Sequence, residues 1–202
     1  MMWAAQSRPS ADVGAGVPEP LPTRAPTSRI EPGRIAVRDP VVAYLALGAN
    51  LGDAAAHVRQ ALADLAGLPQ TDLLRESSLY SSAPLDAHGA NYVNAVAQVA
   101  TGLTAPALLE QLQGLELRAG RQRSYRNAPR TLDLDLLLFG QARICSATLL
   151  LPHPRMWQRA FVLLPLAEIA PDLVSAKCLA AVSGQTISRM RAKPPCRALP
   201  NH

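Results

Sequence analysis

Two spacings of apolar residues alternate along the middle of this chain. Val41-Val-Ala-Tyr-Leu-Ala-Leu47 is a β-prone apolar run ended by Gly48, and a short continuous run of this kind predicts a buried strand. Gly48-Ala-Asn-Leu-Gly-Asp53 reads as a turn, with Asp53 placed to cap a helix. Val58, Ala61, Leu62 and Leu65 then recur at helical spacing, and Gly67 and Pro69 close that helix. A second strand is expected near Leu73–Tyr80, followed by a polar loop over Ser81–Asn91. Tyr92–Ala100 alternates with period two, as a third strand does. Thr104 caps a second helix with Pro106 in its first turn, an allowed place for proline. Leu108, Leu109, Leu112, Leu115 and Ala119 form its buried stripe. Gly120–Pro129 is an arginine-rich loop, and Thr131–Phe139 is the fourth strand. The order β-α-β-β-α-β predicts an α+β fold, a ferredoxin-like sandwich with additional C-terminal elements. Its helices would cover one sheet face and leave the other open for a site. Trp157–Ile169 is expected to be partly helical, with a break at Pro165.

Composition refines this plan at the ends. Residues 1–40 are rich in Pro, Ser, Gly and Arg without periodicity, and are expected to be a disordered N-terminal extension. The folded domain is expected over 41–172, and 173–202 form a C-terminal tail to which the pattern assigns no order. The basic pI of about 9.6 invites a nucleic-acid reading. Yet 41–170 hold ten Arg and ten acids, whereas 171–202 hold five basic residues and one acid. The excess charge therefore sits in the tails and says little about what the core binds. No apolar run approaches the roughly 18 residues of a membrane span. The N-terminus lacks a signal-peptide core, and Asp12, Glu19 and the prolines argue against a transit peptide. Cys145, Cys178 and Cys196 show no metal-like spacing and are expected to be reduced thiols in a cytoplasmic protein.

Candidate chemistry begins with Asp133 and Asp135 inside the Leu-rich fourth strand. Residues i and i+2 share a strand face, which puts the two Cα atoms about 7 Å apart with both carboxylates pointing the same way. Burying an unpaired carboxylate is costly. The pair therefore calls for a cation, either magnesium, which favours hard oxygen ligands, or neighbouring arginines; a solvated edge strand is the other reading. Arg118, Arg121, Arg123, Arg126 and Arg130 lie within thirteen residues just upstream, and guanidinium forks match phosphate oxygens. Arginine loop and carboxylate platform together suit transfer of a phosphate-containing group. Gly120 and Pro129 could serve as end points of a moving lid. No P-loop or dinucleotide fingerprint is present. Tyr92 and Asn94 share one strand face and could stack on and hydrogen-bond a flat heterocycle, or simply form a polar rim. His153, in Leu-Pro-His-Pro, could donate to phosphate or be merely exposed.

Taken together, ALGANLGD, SSLYSSAPL, NYVNAV, GLELRAGR, APRTLDLDLLLFG and LPHPRMWQRAFVLLPLAEIAP resemble the 6-hydroxymethyl-7,8-dihydropterin pyrophosphokinase family of folate biosynthesis. The resemblance covers about residues 41–172. It implies transfer of pyrophosphate from ATP to the pterin hydroxymethyl group by a monomer, with AMP leaving. It implies that Asp133 and Asp135 bind two magnesium ions bridging the ATP phosphates. Tyr92 and Phe161 would sandwich the pterin, with Ser82, Leu85 and Asn94 lining its pocket. Gln113, Glu116, Leu136, His153 and Arg159 would contact ATP, while Arg121 and Arg130, and more weakly Arg123, would neutralise the transferring group. Asn127, Pro154 and Ala83 depart from residues common in the family and bear on loop closure. A ferredoxin-like nucleic-acid-binding module would want an RNP-like motif, which the core lacks. A catalytically silent folate-pathway partner is opposed by the intact acids and arginines.

Overall fold

The computed structural model describes residues 39–84, 90–120 and 131–191. In chain order its elements are β1 (Val41–Ala49), α1 (Ala54–Ala66), β2 (Thr71–Glu76), β3 (Tyr80–Ser82) and β4 (Tyr92–Thr101). There follow α2 (Ala105–Arg118), β5 (Asp133–Phe139), the two-residue strands β6 (Ile144–Cys145) and β7 (Leu150–Leu151), α3 (Ala160–Ile169), α4 (Ala176–Ala181) and β8 (Ile187–Arg189). The main sheet runs β5-β1-β4-β3-β8, with β2 also paired to β4, and its pairings are antiparallel. The fold is thus α+β. β1 does not stop at Gly48 as the sequence suggested; β5 pairs with it as far as Gly48 and β4 carries it on to Ala49.

The helices start where their side chains can satisfy open backbone donors. Asp53 Oδ1 accepts the Ala56 N–H at 2.9 Å, and Thr104 Oγ1 accepts that of Ala107 at 3.4 Å. Such caps stabilise a helix by about 1 kcal/mol. Val58, Ala61, Leu62 and Leu65 of α1 and Leu108, Leu112 and Leu115 of α2 are buried against Leu45, Leu47, Ala95, Ala97, Leu134 and Leu136. At about 1.5–3 kcal/mol for each fully buried large apolar side chain, this layer dominates the stability of the sheet and its two helices.

The second strand is broken in two. Ser77 Oγ accepts the Val96 N–H at 2.9 Å, while the Ser77 N–H donates to Val96 O at 2.9 Å. A side-chain oxygen thus substitutes for a ladder carbonyl, and the chain leaves β2 and resumes as β3.

The opposite face is not wholly open, which corrects the expectation from the sequence. α3 lies on it, burying Val162, Leu163, Leu166 and Ile169 against Ala46, Val96 and Leu137. The helix passes through Pro165 without stopping. An interior proline costs about 3 kcal/mol, but the buried side chains of α3 together outweigh that. The segment after 172 contributes α4, with Leu179 and Val182 packed in this second core, and β8, whose Ile187 pairs with Ser82. The sheet is therefore sandwiched at one end and single-sided at the other.

A polar cluster locks β3, α3 and β8 together. Glu168 accepts hydrogen bonds from Ser78 Oγ at 2.8 Å, from the Ser78 N–H at 3.2 Å and from Tyr80 Oη at 3.0 Å. It also pairs with Arg189 Nη2 at 3.0 Å. Burial alone pushes the Glu168 carboxyl up, but the Ser78 and Tyr80 bonds and the Arg189 charge outweigh it and hold the group below the usual glutamate range. A depressed carboxyl contributes stability that is complete above its unfolded value and lost as pH falls through the folded one. Wild-type thermal stability should therefore fall more steeply between about pH 5 and about pH 3 than that of Glu168→Gln. Parallel melting curves for the two proteins across that range would refute the linkage.

Candidate active site

In an antiparallel pair, directly opposed residues project to the same face. Gly48 is opposed to Asp133 on β5 and to Asn94 on β4, and Asn94 is opposed to Tyr80 on β3. One row therefore crosses four strands as Asp133, Gly48, Asn94 and Tyr80. Beside it, Asp135 is opposed to Ala46, and Tyr92 is opposed to Ser82. By period two, Asp133, Asp135, Tyr92, Asn94 and Ser82 all stand on the face that carries α3 at its far end. Two short residues, Gly48 and Ala46, floor the space between the acids and the polar strand β4.

Asn94 and Ser82 hold each other. Asn94 is only 4% exposed; its amide donates to Ser82 Oγ at 3.0 Å and to Tyr80 O at 3.4 Å. On the other side β5 is an edge strand. Glu116 of α2, 3% exposed, accepts the Leu134 N–H at 2.7 Å. That buried carboxylate braces the backbone midway between Asp133 and Asp135 and blunts the edge. Gln113, one turn earlier on α2, is exposed.

A bulge interrupts the β1–β5 register between Tyr44 and Leu45, and the Leu137 carbonyl there accepts the His153 N–H at 2.9 Å. His153 is thereby fixed beside the acids. Burial pushes its imidazole down, an effect opposed by Asp135 and Asp133 and reinforced by Arg159 and Arg155. Nδ1 accepts the Arg155 N–H at 3.3 Å, so the neutral ring presents its Nε2–H as a donor. Arg159, at the start of α3, brings Nη1 to 4.0 Å from Asp135 Oδ2. Its guanidinium also lies over the Phe161 ring, 5.3 Å from the centroid. At that separation Arg159 offsets the mutual repulsion of the acids, and stacking on Phe161 holds it in place.

Two expected ATP contacts are placed otherwise. Leu136 projects to the opposite face, where it is 3% exposed in the helix-covered core; period two forbids it from sharing a face with Asp135. Glu116 is buried beneath β5, as described. Leu85, Arg121, Arg123, Asn127 and Arg130 lie outside the described residues, while Ala83 and Pro154 are exposed. The importance of Gly48 was missed because it was read as the start of a turn; counting period two onward from Ala46 would have put it on the acidic face. The bonds of Gln185 to the residues flanking Arg159 leave no signal in the sequence.

A sequence model of the 7,8-dihydro-6-hydroxymethylpterin-pyrophosphokinase (HPPK) family matches residues 44–171. The chain belongs to this family. It is 47% identical over 131 residues, 64% of this chain and 81% of the relative, to the 2-amino-4-hydroxy-6-hydroxymethyldihydropteridine pyrophosphokinase of Pseudomonas aeruginosa. Like-named proteins of Bacillus subtilis and Haemophilus influenzae are 43% identical over 133 residues and 44% identical over 135. The former match spans 65% of this chain and 80% of the relative, the latter 66% and 84%. Nothing in these comparisons supports a nucleic-acid-binding module. The matched stretch contains β4, β5 and the start of α3, so every element of the acidic face except β8 lies inside the family region.

The donor set of the acidic face can be compared with what a divalent cation needs. Among the described residues no third His, Cys, Asp or Glu joins the pair to make a closed metal cage. Two hard carboxylate oxygens donors on a rigid strand fit magnesium, which fills its remaining positions with water and substrate phosphate. A side chain at Gly48 would stand between acids and Asn94. A Cβ there would meet Asn94 Oδ1 at 3.5 Å, an ordinary contact, so Gly48→Ala should retain activity. Gly48→Val should keep its melting temperature, since valine favours strands, and lose about 100-fold in kcat/KM as substrates are displaced. Wild-type kinetics in Gly48→Val would show that the row is not where substrates lie.

Proposed function

We infer that the chain is an enzyme transferring pyrophosphate from ATP to the hydroxymethyl group of 6-hydroxymethyl-7,8-dihydropterin, as a step of folate synthesis. The observation that carries this reading is the single row joining Asp133, through Gly48, to Asn94, in a chain of the pterin pyrophosphokinase family. Anionic and heterocyclic substrates need unlike surfaces held side by side, and this row supplies both. Asn94 and Ser82 offer hydrogen bonds to a flat heterocycle, with Tyr92 on the same face and Phe161 across from it on α3. Leu85 completes that lining in this reading. Asp133 and Asp135 would hold magnesium, in two ions, which when bound neutralises phosphate charge. His153 Nε2–H and Arg159 donate to phosphate oxygens, and Gln113 meets ATP from α2. Arg121 and Arg130, with Arg123, neutralise the group in transit.

In the reaction the hydroxymethyl oxygen attacks the β-phosphorus of ATP. A new O–P bond forms as the bond from β-phosphorus to the α-bridging oxygen breaks; AMP takes the electron pair and the hydroxyl proton is released. Positioning and charge stabilisation do most of such work, with little covalent role for the protein. The sheet order β5-β1-β4-β3 supports a ferredoxin-like plan, with β2 and β3 together as one broken strand. In this reading the chain acts as a monomer. Free thiols at Cys145 and Cys178 accord with a reducing compartment, the cytoplasm. Among the described residues no helix is long and apolar enough to cross a membrane.

The test is incubation of the purified chain with ATP, magnesium and the hydroxymethylpterin. AMP should appear in step with pterin diphosphate; ADP would mark an ordinary kinase. Asp133→Ala and Asp135→Ala should each lower turnover by about 1000-fold while leaving the circular dichroism spectrum unchanged. Full turnover in either would remove the acids from the reaction. Arg130→Ala should depress kcat far more than it weakens ATP binding, and equal losses would assign Arg130 to ground-state binding.

A further inference from the structure

α3 begins without a cap of its own. Arg159 occupies its N-cap position, in extended backbone, and makes no side-chain capping hydrogen bond. The next residue, Ala160, is 1% exposed, so its N–H is shut off from water, and a buried unsatisfied donor is costly. Gln185, in the segment between α4 and β8, resolves this from 25 residues away. Its Oε1 accepts the Ala160 N–H at 2.8 Å, and its Nε2 donates to Gln158 O at 2.8 Å. One side-chain amide thereby bonds to the residues on both sides of Arg159. The same segment enters β8 two residues later, where Ile187 is opposed to Ser82. It therefore touches the strand carrying Ser82 and the helix end carrying Arg159 and Phe161.

We propose that Gln185 is a positioning residue of the reaction: by clasping the backbone on either side of Arg159, it sets the guanidinium at Asp135 and the Phe161 ring beneath it. Gln185 lies outside the family-matched stretch 44–171, and it acts through Arg159 and Phe161 without touching substrate. The inference rests on the reading of those two as substrate-facing residues. Fixing one backbone segment at two points sets where the Arg159 side chain leaves the chain, and the Phe161 ring and Asp135 then orient its guanidinium. Small displacements of a binding group are known to cost large factors in rate and affinity.

Two variants separate this role from simple support of the fold. Gln185→Met keeps the bulk and removes both bonds, whereas Gln185→Glu keeps an acceptor for the Ala160 N–H. Amide hydrogen exchange at Ala160 in the substrate-free full chain should accelerate about 10-fold in Gln185→Met and stay near wild type in Gln185→Glu. In steady-state assays Gln185→Met should raise KM for both substrates about 10-fold with kcat much less affected, and Gln185→Glu, which keeps one of the two bonds, should fall between Gln185→Met and wild type. Arg189→Ala, which loosens β8 at its Glu168 contact without touching the residues beside Arg159, should leave KM unchanged. Wild-type exchange at Ala160 in Gln185→Met, or an equal rise of KM in Arg189→Ala, overturns the proposal. So does a Gln185→Met chain that fails to fold, because Gln185 would then be a fold residue. If the wild-type chain made no AMP, the functional reading would fail while the exchange result still judged the clasp.

Discussion

The register of β1 between β5 and β4 is the constraint on which the site depends. Asp133, Gly48 and Asn94 stand in line only because each is opposed to the next. A one-residue slip of β5 would turn Asp133 and Asp135 into the helix-covered core and expose Leu134 and Leu136. Those two leucines are 4% and 3% exposed, and releasing them would forfeit about 1.5–3 kcal/mol each, besides burying two acids. The apolar face thus enforces the polar one. The single irregularity in this pairing falls beyond the acids, between Tyr44 and Leu45, where it disturbs neither carboxylate and meets the strand at the residue that holds His153.

Charge on the two sides of β5 is managed differently. Glu116 is buried and bonded to the Leu134 amide, a short bond that fixes backbone. Arg159 approaches Asp135 at 4.0 Å, too long for a bidentate fork, and both side chains keep some contact with water. Solvent screening reduces what such a pair contributes to stability. Its value lies in the local field: a cation on the acid side tempers repulsion between Asp133 and Asp135. Structural and functional electrostatics are separated by burial.

Much of the sheet was legible because its signals are local. Period two in Tyr92–Ala100 and the stripes Val58–Leu65 and Leu108–Leu115 depend on neighbours within one element, and the observed strand and helices follow them closely. The shared face of Asp133 and Asp135 followed from the same alternation. What escaped were bonds between residues distant in sequence. Ser77 splits a strand by bonding to Val96. α3 tolerates Pro165 because the sheet face beneath it supplies burial that no propensity scale contains. Gly48 is held in β1 by partners on both sides and Ala49 by Val93 of β4, whereas an isolated glycine reads as a stop. The Gln185 contacts span 25 and 27 positions and leave no periodic trace.

These long-range bonds fall on one half of the site. Asp133, Asp135, Tyr92, Asn94 and Ser82 stand on strands whose ladder fixes them through backbone pairing. Arg159 and Phe161 ride on the end of a helix, where a ladder cannot reach and the first turn lacks its own cap. Precision there has to come from side chains, and the segment after α4 supplies one. A substrate bound between the halves would thus meet a face set by the sheet and a face set by Gln185, while the Glu168, Arg189 and Ser78 cluster farther along α3 holds the fold. The C-terminal segment extends the sheet through β8, and through Gln185 it reaches the backbone on both sides of Arg159.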